Sequence, residues 1–265
     1  RTPSFYVSPS KQIFHCFGCG AGGNAIHFVM KMEKLTFMEA LKHLAKLAKI
    51  DIDLSLTSSP KERELIKKKE ELISVHSDCY DYFREELFNK KNIQAVRYAL
   101  KRRISKDTIV RFGIGFCPEK NDLYESLLKK YSRELLYASG IFIEKNGKNY
   151  CRFEGRLIFP IFDTMNRVIA FGARAIFDSV LPKYINSSDT MIFSKSKTLY
   201  GLNIAKNTKE NHFLIVEGYM DVLMLHQEGI DNAIGVLGTA LTADHSYIIK
   251  RYKNEVVLCL DSDEA

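Results

Sequence analysis

The 265 residues contain no run approaching the roughly 18 apolar residues that a membrane-spanning helix needs. The opening stretch, Arg1 to Lys11, is polar and lacks the apolar core of a secretory signal. There is no internal repeat and no low-complexity tract, which sets aside collagen-like and wholly disordered chains. Clustered cysteine is scarce as well. Of six cysteines only Cys16 and Cys19 lie close together, while Cys79, Cys117, Cys151 and Cys259 are scattered among apolar or helical residues. That pattern argues against a disulfide framework and for a reducing compartment, with one metal-type pair and four core thiols. A cytoplasmic protein without membrane contact is the expectation.

What is present is an ordinary globular composition, 46% hydrophobic and 27% charged, long enough for about two domains. The net charge is +7, unevenly spread. Residues 1–50 carry seven basic and two acidic side chains, residues 51–205 carry 27 and 20, and residues 206–265 carry five and ten. A basic body with an acidic end suits a protein that grips a polyanion and also binds cations, although solubility alone accounts for an excess of this size. The first residue is Arg1 rather than Met, and both ends fall inside motifs, so the chain reads as part of a longer protein.

Residues 4–7 and 12–17 alternate like two short strands, with Pro9-Ser10 as the turn between them. Helical spacing follows from Ala25 to Lys49 in two pieces, the second opened by a Thr36/Glu39 capping box. Residues 51–60 read as a linker, and a Lys/Glu-rich helix with a solvated face runs from Lys61 to about Asn89. Short helices surround a strand-like Phe112–Phe116. Arg156–Phe162 and Val168–Phe171 form a hairpin around Asp163 and Asn166. From Phe213 the order becomes strand, helix, strand, helix, strand, which means a parallel sheet.

Two constellations carry chemistry. Cys16-Phe17-Gly18-Cys19-Gly20 is a glycine-flanked knuckle that aims two sulfurs at one point. A redox pair and half of a tetrahedral zinc site both fit it. His15 and His27 are candidate further ligands, though His15, beside Cys16 on a strand, is poorly placed to share an ion. The second constellation is acidic. Glu217 directly follows an apolar strand and Asp221 lies four residues on, while Asp261 and Asp263 directly follow another apolar strand. In an open parallel sheet, ligands bind beyond the carboxyl ends of the strands, so all four carboxylates face one edge. Such crowding needs a cation, and hard oxygens suit Mg²⁺ or Mn²⁺ and phosphoryl-transfer chemistry. Taken singly, Asp221 also reads as a helix N-terminal acid and Asp263 as a cap.

These residues carry a family resemblance. Val216-Glu217-Gly218-Tyr219-Met220-Asp221-Val222 and Leu260-Asp261-Ser262-Asp263 resemble the glutamate and Asp-x-Asp motifs of the Toprim domain, with Ser262 in place of the usual Gly. Arg1–Phe5, Phe14–Gly20, Gly23–Ile26, Arg111–Phe116, Arg156–Pro160, Gly172–Arg174, Pro182–Ser187, Phe193–Lys195, Leu199–Leu202 and Gly238–Thr242 with His245 resemble, in order, motifs of bacterial DnaG-type primases. The resemblance implies an α+β chain: part of a zinc ribbon at 1–50, a linker at 51–62, a mixed α/β basic subdomain at 63–205 and an incomplete Toprim parallel-sheet subdomain at 206–265. It implies synthesis of short RNA primers from ribonucleoside triphosphates on single-stranded DNA, with a replicative helicase as partner through a region outside this chain. Glu217, Asp221, Asp261 and Asp263 would be catalytic. Cys16 and Cys19 would hold structural zinc with a Cys-x-x-His preceding Arg1, and a further Asp-x-Asp would follow Ala265. Arg111, Arg174, Lys183 and Lys195 would line a groove beside the acids, with Tyr184 as a stacking face and Asn186 as a polar contact. Gly238 and Thr239 would complete the nucleotide or DNA site. A Toprim nuclease or topoisomerase and a non-catalytic single-stranded-DNA-binding piece are the rival readings.

Overall fold

The computed structural model describes residues 3–33, 35, 37–50, 60–177, 180–238 and 240–260, and of Glu39 only the backbone. The expected Thr36/Glu39 capping box, residues 51–59 of the expected linker, Thr239, Asp261 and Asp263 lie outside the described residues. The chain divides into two compact units, Arg1–Arg63 and Glu64–Ala265. No helix among the described residues is long and apolar enough to cross a membrane.

In the first unit, β1 (Phe5–Ser8), β2 (Ile13–Cys16) and β3 (Gly22–Gly23) form an antiparallel sheet in chain order. The helices α1 (Ala25–Met32) and α2 (Phe37–Ala48) follow. Asn24 caps α1 by accepting the His27 N–H at 3.1 Å. Phe5, Phe14 and Phe28 meet with ring centroids 5.3 to 5.9 Å apart and join the sheet to α1.

The second unit begins along α3 (Pro60–Phe88). Lys and Glu dominate its sequence, yet Leu72, Val75, His76, Cys79, Phe83 and Leu87 are buried. Their spacing of three and four residues puts them on one stripe, so the reading of this helix as a solvated face holds only for its other side. Next come α4 (Ile93–Lys101), α5 (Lys106–Phe112), β4 (Gly115–Cys117), α6 (Leu123–Leu128), α7 (Arg133–Ala138) and a hairpin of β5 (Phe142–Lys145) and β6 (Lys148–Cys151). Phe112 ends α5, and Gly113, at φ +65°, turns the chain into β4. Then β7 (Arg156–Phe162), β8 (Val168–Ala175) and β9 (Tyr184–Asn186) build an antiparallel sheet of order β4-β7-β8-β9. Asp163 closes the β7–β8 turn by accepting the Met165 and Arg167 N–H groups, with Asn166 at φ +60°. Both faces of β7 and β8 are covered, which is why their sequences run apolar instead of alternating. Leu157 and Phe159 point into one cluster and Ile158 into another, with the α3 stripe.

The last elements are α8 (Leu202–Ala205), β10 (His212–Val216), α9 (Tyr219–Gln227), β11 (Ala233–Gly235), α10 (Ala243–Lys250) and β12 (Glu255–Leu258). Their sheet has order β11-β10-β12 and is parallel throughout, as the sequence predicts. Val216, Tyr219, Val222 and Leu223 pack into the same cluster as Ile109, Phe112, Leu157 and Phe159. Of the four cysteines expected in the core, Cys79, Cys117 and Cys151 are buried but Cys259 is exposed. It follows β12, which pairs with β10 along one side and is exposed along its length, so its side chains are not enclosed by described residues.

His76 makes this fold sensitive to acid. Its ring stacks on Phe171 with centroids 5.7 Å apart, and Nδ1–H donates to the Leu72 carbonyl at 2.8 Å. Burial holds its pKa down from 6.5 to about 4. The unfolded chain therefore binds the extra proton between about pH 6.5 and 4, while the folded one does not. Stability is full above that window and falls as pH drops through it, by up to about 3 kcal/mol. Urea unfolding at about pH 7.5 and 4.5 should show His76→Leu losing clearly less stability on acidification than the unmodified protein; equal losses would remove the assignment.

Candidate functional site

At the carboxyl ends of the parallel strands lies a cavity of about 490 Å³. Ile215 and Glu217 line it from the end of β10, Val236 and Gly238 from the end of β11, and Leu258 and Leu260 from the end of β12, with Leu241 closing one side. Glu217 lines it and is exposed to solvent. Asp221, also exposed, turns one carboxylate oxygen back onto the Gly218 N–H at 3.0 Å and caps α9. The helix-terminal reading of Asp221 is therefore realised, and it leaves the second oxygen for other work. Asp261 and Asp263 follow Leu260 in the chain but lie outside the described residues. Among the described residues no group of three or more His, Cys, Asp or Glu side chains is gathered as a metal cage.

The walls of this cleft are tied to the antiparallel sheet through Asn186 on β9. Its amide nitrogen donates to the Leu237 carbonyl at 3.1 Å, and its amide oxygen accepts the Tyr219 hydroxyl. One side chain thus grips the chain just before Gly238 and just after Gly218. Tyr219 in turn stacks on Phe159, with centroids 5.3 Å apart, and lies against Gly172 of β8.

Arg174 is buried on β8, where its Nε donates to the Tyr98 hydroxyl at 2.7 Å and its guanidinium lies 4.6 Å from the centre of the Tyr184 ring. Tyr184 and Lys183 are exposed beside it. Arg156, also buried, donates to the Pro182 carbonyl at 2.8 Å and so fixes the segment that bears Lys183. Lys195 sits in a short 3₁₀ turn whose backbone is held from α10: His245 Nε2–H donates to the Lys195 carbonyl at 3.0 Å, and the Thr242 hydroxyl donates to the Ser196 carbonyl at 2.6 Å. His245 is fully buried, and its Nδ1 accepts the Thr242 N–H at 3.2 Å, which fixes its tautomer. Arg111 is found elsewhere. It lies near the carboxyl end of α9, 3.5 Å from the His226 carbonyl, whereas Glu217 and Asp221 mark the amino end of that helix. The resemblance points to Arg111, Arg174, Lys183 and Lys195 and includes Arg156 and Thr242 within its motifs without a role, but the sequence gives no sign of Tyr98; the partners of Tyr98, Arg156 and Thr242 lie tens of residues away.

In the other unit, the backbone N–H groups of Cys19 and Gly18 and the Ser4 hydroxyl point at Cys16 Sγ and bring its pKa down to about 7. Gly20, at φ +72°, turns the chain tightly past the two sulfurs. His15 packs edge-on to Phe17 and His27 bonds the Asn24 side chain at 2.7 Å, so both imidazoles already have partners. Two neighbouring cysteines, with backbone N–H donors stabilising the Cys16 thiolate, fit a borderline-soft cation such as zinc, and the carboxylate at the cleft fits a hard divalent one.

Three family models match the chain: a CHC2 zinc finger over residues 1–60, the N-terminal domain of the DNA primase catalytic core over 82–206, and a Toprim domain over 211–265. The first implies zinc and the last a divalent metal. The DNA primase of Clostridium acetobutylicum is 44% identical over 271 residues, an alignment covering 100% of this chain and 44% of that protein. A crystal structure of the zinc-binding and RNA polymerase domains of the Aquifex aeolicus primase matches with a TM-score of 0.69 at 36% identity, covering 100% of this chain and 64% of that one. A DnaG primase catalytic domain bound to single-stranded DNA matches with a TM-score of 0.70 at 37% identity, covering 75% and 63% respectively. The chain spans a little under half the length of the curated relatives it matches.

Proposed function

The chain belongs to the bacterial DnaG-type DNA primase family, and from that membership we propose that it carries the zinc-binding and nucleotidyl-transferring parts of an enzyme that lays short RNA primers on single-stranded DNA. The observation that carries this reading is Glu217, exposed on a cleft to which all three parallel strands contribute their carboxyl ends. Glu217, Asp221, Asp261 and Asp263 would together hold Mg²⁺ or Mn²⁺, which when bound offsets the charge of the triphosphate and of the departing pyrophosphate. Gly238, in the left-handed region at φ +72°, keeps the loop after β11 short and bare where a nucleotide would lie. Thr239, the next residue in the sequence, would complete that site.

Lys183, Tyr184, Arg174 and Lys195 handle the template and the triphosphate. Arg174 is held in place from below by Tyr98, so it presents a fixed charge under the Tyr184 ring, a stacking face for a base. Asn186 holds the cleft walls together from within, and Arg111 serves the phosphate backbone at a distance from the acids. Cys16 and Cys19 supply two thiolates to a structural zinc ion. The protein, incubated with single-stranded template, labelled ribonucleotides and Mg²⁺, should produce short template-complementary RNA. Cleaved DNA would favour a Toprim nuclease instead, and bound but unaltered DNA a binding module.

A further inference from the structure

Between residues 90 and 106 the chain carries seven cations and no carboxylate. All seven are exposed, and none makes an ion pair among the described residues. Helix dipoles do not explain them. Lys101 and Arg102 close α4, where positive charge is favourable, but Lys90 and Lys91 precede its amino end and Lys106 opens α5, where it is not. Arg103 lies at φ +64°, a left-handed position that suits glycine and costs any other residue about 1 kcal/mol. The fold therefore maintains mutual repulsion, unfavourable dipole placement and a strained backbone in one short strip.

The strip is rigid and continuous with the proposed template groove. Gln227, at the end of α9, accepts from the Ser105 N–H at 2.8 Å and from the Thr108 hydroxyl at 3.0 Å, and donates to the Arg103 carbonyl at 3.0 Å. Arg102 lies 5.5 Å from the centre of the Tyr98 ring, whose hydroxyl receives Arg174, which in turn lies against Tyr184. Cation and aromatic alternate from Arg102 to Tyr184. That sequence of charge and π-face is what an unpaired nucleic-acid strand fits, with phosphates on the cations and bases on the rings.

We propose that the α4–α5 strip is a second binding surface for single-stranded DNA, which extends the template track beyond the groove at Arg174 and Tyr184. This rests on the reading of that groove as a template site. Binding of oligothymidylates of about 6 and about 24 nucleotides, measured by fluorescence anisotropy over a range of salt, separates the two surfaces. In a variant with Arg97→Gln, Lys101→Gln and Arg102→Gln, the long oligomer should bind at least about tenfold more weakly, and the slope of log affinity against log salt should shrink by about 2, since each phosphate contact on a single strand contributes about 0.7. The short oligomer should bind as before. Arg103→Gly, a substitution the backbone favours, should raise the melting temperature and still reduce the slope. Unchanged long-oligomer affinity and slope would overturn the proposal, as would equal weakening of both oligomers. Failure of the unmodified protein to bind either oligomer would instead remove the template reading itself.

Discussion

Replacing Glu217 with glutamine is expected to reduce nucleotide incorporation at least about a hundredfold, a loss of the size seen when one preorganised charge-stabilising group is removed from an active site. Glutamine keeps the shape and removes the charge. Glu217 lines the cavity, is exposed and contributes nothing to the core, so the melting temperature should hardly move. Arg174 on β8, Tyr184 on β9 and Lys183 just before β9 are untouched, so affinity for a single-stranded template should stay within about twofold. Incorporation, anisotropy and melting measured on the same preparation check all three. Near-normal incorporation by Glu217→Gln would remove the cleft from the mechanism.

A single methyl group at Gly172 is expected to do comparable damage without touching a charge. Gly172 lies on the fully buried strand β8, opposite Phe159, and a Cβ there would fall onto the Tyr219 ring. Its role is close approach, not backbone freedom. Tyr219 is the first residue of α9, next to Gly218 and Glu217, and its hydroxyl anchors Asn186. Overpacking of this kind costs about 1–3 kcal/mol. Gly172→Ala should lower the melting temperature by several degrees and slow incorporation even well below it, because the displaced ring carries the start of α9 with it. Adding Tyr219→Leu should restore part of the stability, since the two substitutions share one space. A Gly172→Ala protein that melts and works like the original would contradict the packing described here.

The parts of this molecule that the sequence makes legible are those encoded locally. Phe213–Val216 ending in Glu-Gly, Asp231–Val236 and Glu255–Leu260 each show a strand by composition, and the helices between them require a parallel sheet; the strands formed, β10, β11 and β12, lie within or about these spans. Glu217 then falls at the carboxyl edge of that sheet without further information. Contacts between distant segments are not encoded this way. Nothing in the surroundings of Tyr98 indicates that it meets Arg174, 76 residues later. The α3 stripe is hidden because Lys and Glu on its outer face outnumber the six side chains that pack. Arg111 illustrates the same limit: its motif is recognisable, but only the packing of α5 against α9 puts it at the far end of the helix that begins beside Glu217. Cys259 reads like its buried counterparts because its strand is apolar, and apolar composition alone does not reveal which strands are covered.

The hydrophobic cluster that joins Phe112, Phe159 and Ile169 to Val216, Tyr219 and Val222 has an evolutionary corollary. A chain severed between α8 and β10 would leave two complementary oily surfaces wet, neither of them a finished interior. The segments that bear Glu217 and Arg174 are therefore expected to be inherited as one piece, and recombination at that seam to yield a folded descendant only if both surfaces are rebuilt together.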